Sequence, residues 1–321
     1  MRGIGRLDRP RPDRIGWCGR GFSPSAQVRR ARNKDLPLEQ IDIRRDVVFG
    51  DAGRRPLKLD IYRPSANANG AAVLLLHGGG WSGGGRHMLA PHAQALAAEG
   101  FVAIPSEYRL TGEARFPAQI HDVKRAIRWV RSHADDLGFD PARLCLQGHS
   151  AGAHLALLAA GTPDDERLDP PEGSVGVSAA VAAVAAVYPP VLLYLGDVRP
   201  SGGVPARALP GADGSPEMCA LASPIEHVTA SLPPVMLLHG DADKVVPVSA
   251  TRRYEERVRA VGGKVELHVF AGLPHGFGNQ PQIRQMMMSM IGVFFRRMVA
   301  EPQAFAIAPP HLHLARVGAR A

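Results

Sequence analysis

The pentapeptide Gly148-His149-Ser150-Ala151-Gly152 sets one serine among small residues, where an apolar run (RLCLQ) gives way to the alanine- and leucine-rich stretch AHLALLAA. This is the G-x-S-x-G spacing of a nucleophile on a tight strand-to-helix turn. Such a turn lifts the hydroxyl off the end of a sheet, and small neighbours are needed where backbones crowd. A helix starting at Ala151 brings that residue's N–H close to a developing oxyanion. Glycine and serine are common in ordinary turns, so the pentapeptide takes its meaning from this setting.

Three further segments carry compatible chemistry. His77-Gly78-Gly79-Gly80-Trp81 follows the apolar run AAVLLL, and consecutive glycines leave backbone N–H groups free to reach a substrate oxygen. The segment PPVMLLHG leads into Asp241-Ala242-Asp243-Lys244, placing two carboxylates just past a strand end, where open α/β sheets carry their functional loops. Either could orient a histidine or simply cap the turn. Pro274-His275-Gly276-Phe277 follows the last β-like run, KVELHVF, between Gly272 and Gly278. Of the thirteen histidines, His275 is one of few placed after a strand end; His87, His92, His121 and His133 fall on helical stretches, His268 within a strand, and His149 and His154 beside the serine, where packing or capping is the plainer reading. Serine, acid and histidine therefore occur in the chain order of the α/β-hydrolases, which differs from the chymotrypsin-like and subtilisin-like orders.

Positioning these groups requires a sheet. Runs RRDVVFGD and LKLDIYRP read as an antiparallel hairpin, and AAVLLLHGG and FVAIPSEYRL as strands covered on both faces. Helical stretches alternate with strands from there: His87 to Glu99; Phe116 to Leu137, with Ile120, Val123, Ile127 and Val130 at helical spacing; Ala151 to Ala160; TRRYEERVRAV; and Gln282 to Val299. The pattern implies a doubly wound, mostly parallel eight-stranded α/β sheet with helices on both faces. Residues Leu195 to Ala230 break the rhythm with Gly, Pro and Ser, as expected of a loop-rich, lid-like insertion.

Composition narrows the alternatives. The 321 residues, 45% hydrophobic and 21% charged, describe a globular chain with one main domain over 41–300. The net charge of +8 owes much to Met1–Gln40, with nine Arg and one Lys against four acids. That stretch reads as a basic leader without the interleaved aromatics of a nucleic-acid motif, and residues 301–321 as a tail. Cys18, Cys145 and Cys219 are too scattered for a disulfide framework or a zinc site. No secretory signal is recognisable, so a cytoplasmic location is expected. The longest apolar stretch, Val175 to Leu195, is interrupted by Pro189 and Pro190 and does not suit a membrane span. Neither a metal nor an organic cofactor is expected, and the oligomeric state is open.

From about Ile43 to Val299 the chain resembles the α/β-hydrolase esterases with an HGGGW oxyanion motif, the BD-FAE-like and hormone-sensitive-lipase-like carboxylesterases, through HGGGW, SEYRL, GHSAGAHLA, HGDADKVVP and PHGF. The irregular N-terminus departs from the helical cap usual in the lipase-like branch and favours the BD-FAE-like pattern. The resemblance implies a catalytic triad of Ser150, Asp243 and His275, selecting Asp243 over Asp241. It implies oxyanion donors at Gly79, Gly80 and Ala151, and a structural ion pair between Arg109 and Asp122. Trp81, Tyr108 and Phe277 are expected to line a substrate pocket, with the insertion adding wall. The implied activity is hydrolysis of short-chain carboxylic esters, with an arylformamidase or other amide hydrolase as the alternative and a catalytically silent ligand-binding member of the fold as a remoter one.

Overall fold

A computed structural model describes residues 41–53, 55–172, 176–196 and 203–306; the leader and the tail beyond 306 lie outside the described residues. Eight strands form one sheet: β1 (Ile41–Asp51), β2 (Pro56–Pro64), β3 (Ala72–Leu76), β4 (Val102–Ser106), β5 (Leu144–His149), β6 (Val184–Val187), β7 (Val235–Gly240) and β8 (Val265–Phe270). Their spatial order is β1-β2-β4-β3-β5-β6-β7-β8. β1 runs antiparallel to β2 and β2 antiparallel to β4, whereas every other pairing is parallel. Every residue of β3, β5, β6 and β7 is buried. Their unbroken apolar runs are thus the signature of strands sandwiched between helix layers.

Two cores occupy the two faces. On one, α2 (Ala118–Ser132) lays Ile120, Val123, Ile127 and Val130 against α3 (Ala151–Gly161), and Tyr254 and Val258 of α4 (Val248–Ala260) join the same cluster. On the other, α1 (Ala90–Ala98) and α5 (Pro281–Phe295) supply Ala93, Leu96, Met287, Ile291 and Phe294. Helix α3 is buried from Ala151 to Ala160, because it packs between the sheet and further protein on its outer side.

The helix expected from Phe116 to Leu137 is interrupted at His133, whose ring stacks on Trp129 (4.0 Å between centroids) and whose Nδ1 lies 2.8 Å from the Trp129 carbonyl. That side chain satisfies a terminal carbonyl and ends α2, leaving Ala134–Leu137 as a separate turn. The insertion contains a two-residue strand pair, Leu193–Tyr194 with Val204–Pro205, and a short helix, Pro216–Leu221, capped by Ser215. Its contacts run to α3 and to the lead-in of α2: the Ala222 carbonyl faces His154 at 2.7 Å, and the Phe116 N–H donates to Pro210. Among the described residues, no helix is long and apolar enough to cross a membrane.

Candidate active site

The C-terminal ends of β3, β5, β6, β7 and β8 converge on one cavity of about 370 Å³. Ser150 lies between β5 and α3 with φ 49° and ψ −116°, a backbone conformation that side-chain-bearing residues seldom adopt. The surroundings show why glycine flanks it. A Cβ on Gly148 would fall 2.4 Å from the Gly152 carbonyl oxygen, and one on Gly152 would fall 2.3 Å from the Leu76 oxygen.

His275 lies in the loop after β8. Its Nε2 is 2.9 Å from Ser150 Oγ and its Nδ1 is 2.6 Å from Asp243 Oδ2. The carboxylate can only accept, so Nδ1–H donates to it and Nε2 is left to accept the serine proton. Asp243, past the end of β7, has a fully buried side chain, whereas that of His275 is 19% exposed. Burial opposes ionisation of Asp243, but hydrogen bonds from His239, His275 and the Val246 N–H outweigh it and hold the carboxyl well below its ordinary range. Asp243 Oδ1 also accepts from the Val245 and Val246 N–H groups at 2.8 and 2.9 Å. Asp241 serves the loop instead, accepting from the Gly272 N–H at 2.6 Å. The two carboxylates that the residues alone left equivalent thus have separate partners.

The glycine loop edges the same cavity as Ser150 and His275. Gly79 has φ 124°, and a Cβ there would meet the Gly83 oxygen at 2.2 Å. Its carbonyl turns away to accept from Ser82 and Gly83. Among the described residues no backbone acceptor takes the N–H of Gly79, Gly80 or Ala151, and Gly79 and Gly80 line the cavity. Tyr108 holds the start of the loop, donating its hydroxyl to the His77 carbonyl at 2.8 Å and stacking on the His77 ring. Arg86 holds the far end through Asp60 and Glu107, at 3.0 and 2.8 Å. Arg109 and Asp122 form the expected pair, with two contacts of 2.8 Å.

The cavity wall differs from expectation. Trp81, Tyr108 and Phe277 do not line it; they are 2%, 1% and 1% exposed and belong to the cores. Trp81 instead donates to His154 Nδ1 at 3.3 Å, and Phe277 packs on Phe270 and Tyr188. No described residue of the insertion lines the cavity either. The wall is made by Met88 and Leu89 after the glycine loop, by His92 and His149, and by Tyr188, Val245 and Asn279. Sequence patterns missed Tyr188, whose signal was its position directly after the apolar run that became β6.

A model of the BD-FAE family matches residues 59–258, more than half of the chain. The chain belongs to the BD-FAE family. Among curated proteins, this BD-FAE member is 32% identical to esterase LipQ of Mycobacterium tuberculosis (strain ATCC 25618 / H37Rv), over 83% of the chain and 66% of the relative. It is 33% identical to the probable carboxylic ester hydrolase LipM of the same strain, over 74% of the chain and 58% of the relative. The chain therefore spans somewhat under two thirds of the length of these relatives. Among solved structures, the apo form of Thermogutta terrifontis esterase 2 superposes with a TM-score of 0.70 at 28% identity, covering 86% of the chain and 99% of that structure. These structures share the α/β-hydrolase fold.

Proposed function

We propose that the protein is a serine carboxylesterase acting on short-chain carboxylic esters through an acyl-enzyme on Ser150. The observation that carries this reading is the unbroken hydrogen-bonded line Ser150 Oγ–His275–Asp243, at 2.9 and 2.6 Å, opening into a cavity edged by Gly79 and Gly80. The relatives named esterase and probable carboxylic ester hydrolase support it, as do the T. terrifontis esterase 2 structures with propionate and with butyrate bound.

In this mechanism His275 Nε2 takes the Ser150 proton as Oγ attacks the ester carbonyl. Asp243, held as carboxylate, keeps Nδ1 protonated and stabilises the imidazolium that forms. The N–H groups of Gly79, Gly80 and Ala151 receive the oxyanion, where one donor is typically worth about two to three orders of magnitude in turnover. The imidazolium then protonates the departing alcohol, and water, deprotonated by the same nitrogen, releases the acid and restores Ser150. All of these proton transfers use side chains of this chain.

Ser150→Ala removes the attacking oxygen and should reduce hydrolysis of p-nitrophenyl butyrate to the uncatalysed level, with the circular dichroism spectrum unchanged. A fluorophosphonate probe should label the native protein once, at Ser150. Turnover retained by the alanine variant would overturn the assignment.

A further inference from the structure

Tyr188 stands where three of the proposed catalytic elements meet. It follows β6 with φ 42°, in the region that side-chain-bearing residues rarely use, as does Ser150 at the end of the neighbouring strand. Its backbone is fixed on both sides. The preceding carbonyl, of Val187, accepts from the Ser150 N–H at 2.9 Å, and the Tyr188 N–H donates to Leu238 of β7, the strand that leads to Asp243, at 2.7 Å. Its ring lies 4.6 Å from that of His275 between centroids, tilted by 55°. On its far side it meets Phe277 edge-on at 5.2 Å. The hydroxyl is 3.1 Å from Nδ1 of His149, and His149 in turn meets His92 edge-to-face at 4.7 Å.

From this arrangement we infer that Tyr188 is a positioning residue for His275, its ring confining the imidazole to the plane that reaches Ser150 and Asp243 together, and its hydroxyl anchored by His149. The inference rests on the triad reading. His275 is partly open to the cavity and sits on a loop, so its two hydrogen bonds are made against the ring's freedom to swing out of their common plane. A flat, buried partner against one side removes that freedom. Misplacement of a reacting group by about 1 Å can cost about two orders of magnitude in rate. A strained tyrosine backbone is retained here because the ring must leave the strand end towards His275.

Steady-state hydrolysis of p-nitrophenyl butyrate by Tyr188→Phe, Tyr188→Leu, His149→Leu and the double variant Tyr188→Phe/His149→Leu tests the inference. Removal of the ring in Tyr188→Leu should lower kcat about 10- to 100-fold with KM within about threefold. Tyr188→Phe keeps the ring and should recover all but about two- to fivefold of kcat. His149→Leu should match it, and the double variant should be no worse than the poorer single one, since all three remove one hydrogen bond. A kcat for Tyr188→Leu within threefold of native, a loss confined to KM, or no recovery with phenylalanine would overturn the inference. Should the leucine variant not fold, multiplying losses in the double variant would overturn it. If the native protein neither turns over the ester nor accepts the fluorophosphonate, the catalytic reading fails instead.

Discussion

Buried histidines, His77, His92, His149 and His154 among them, make acid a condition that should destabilise this protein, and one substitution isolates the share of one of them. His92, His149 and His154 are 3%, 5% and 0% exposed. Burial, with the charge of Arg284 nearby, pushes His92 down to about 4; burial pushes His154 down to about 4; and burial, with His92 adjacent, holds His149 well below the usual 6.5. Each is thus neutral in the fold but protonates at ordinary imidazole pH when unfolded. The unfolded chain binds more protons as pH falls through 6.5, so stability declines from there and the loss levels off below the folded-state values. At about pH 5.5, His92 and His154 each contribute about 1.3 kcal/mol of destabilisation relative to neutral pH, and His149 acts in the same direction. Neither ring nitrogen of His92 has a hydrogen-bond partner, so His92→Leu, close in volume, should cost under about 1.5 kcal/mol at neutral pH. It should also remove His92's own share, about 1.3 kcal/mol, of the acid-induced loss. Urea unfolding followed by circular dichroism at about pH 7.5 and about pH 5.5 compares the two proteins. Equal pH sensitivity in native protein and variant would refute the reasoning.

Gly152→Ala sets a methyl 2.3 Å from the Leu76 oxygen and must push α3 off β3; a destabilisation of about 1–3 kcal/mol, with loss of ester turnover, is expected from thermal melts and kinetics. Asp122→Asn breaks a fully buried carboxylate that accepts from Arg109 and from Arg125 at 2.8 Å. A cost of about 3–5 kcal/mol follows, seen as a lower urea midpoint. Tyr108→Phe leaves the His77 carbonyl without its donor, worth about 1–3 kcal/mol. Because that carbonyl begins the glycine loop, kcat for short esters should fall while the Ser150-labelling stoichiometry stays at one.

The succession of strands and helices along the chain and the spacing around Ser150 were legible in the sequence because each is a local pattern: apolar runs, helical periodicity, and glycines where chains cross. The assignment of Trp81, Tyr108 and Phe277 to the pocket failed for a physical reason. Proximity along the chain to a reactive segment says nothing about which way a ring points, and all three turn into the cores. Conversely, Met88 and Val245, 47% and 61% exposed, line the cavity without any motif to announce them. Asp241 and Asp243 are two residues apart in one loop, equivalent as residue types and told apart in the sequence by the family pattern alone, and the structure separates them by their partners, Gly272 for one and His275, 32 residues away, for the other.

Trp81, read from sequence as part of the wall, ends a relay instead: its indole N–H donates to His154 Nδ1, which fixes the tautomer, so that His154 Nε2–H reaches the Ala222 carbonyl of the insertion. For anyone re-engineering this scaffold, that relay divides the site into frame and furniture. Substituting Trp81 would remove the bond that sets the His154 tautomer and so loosen the tie between the glycine loop and the insertion, whereas Met88, an exposed side chain of the cavity wall, is the place to reshape the cavity.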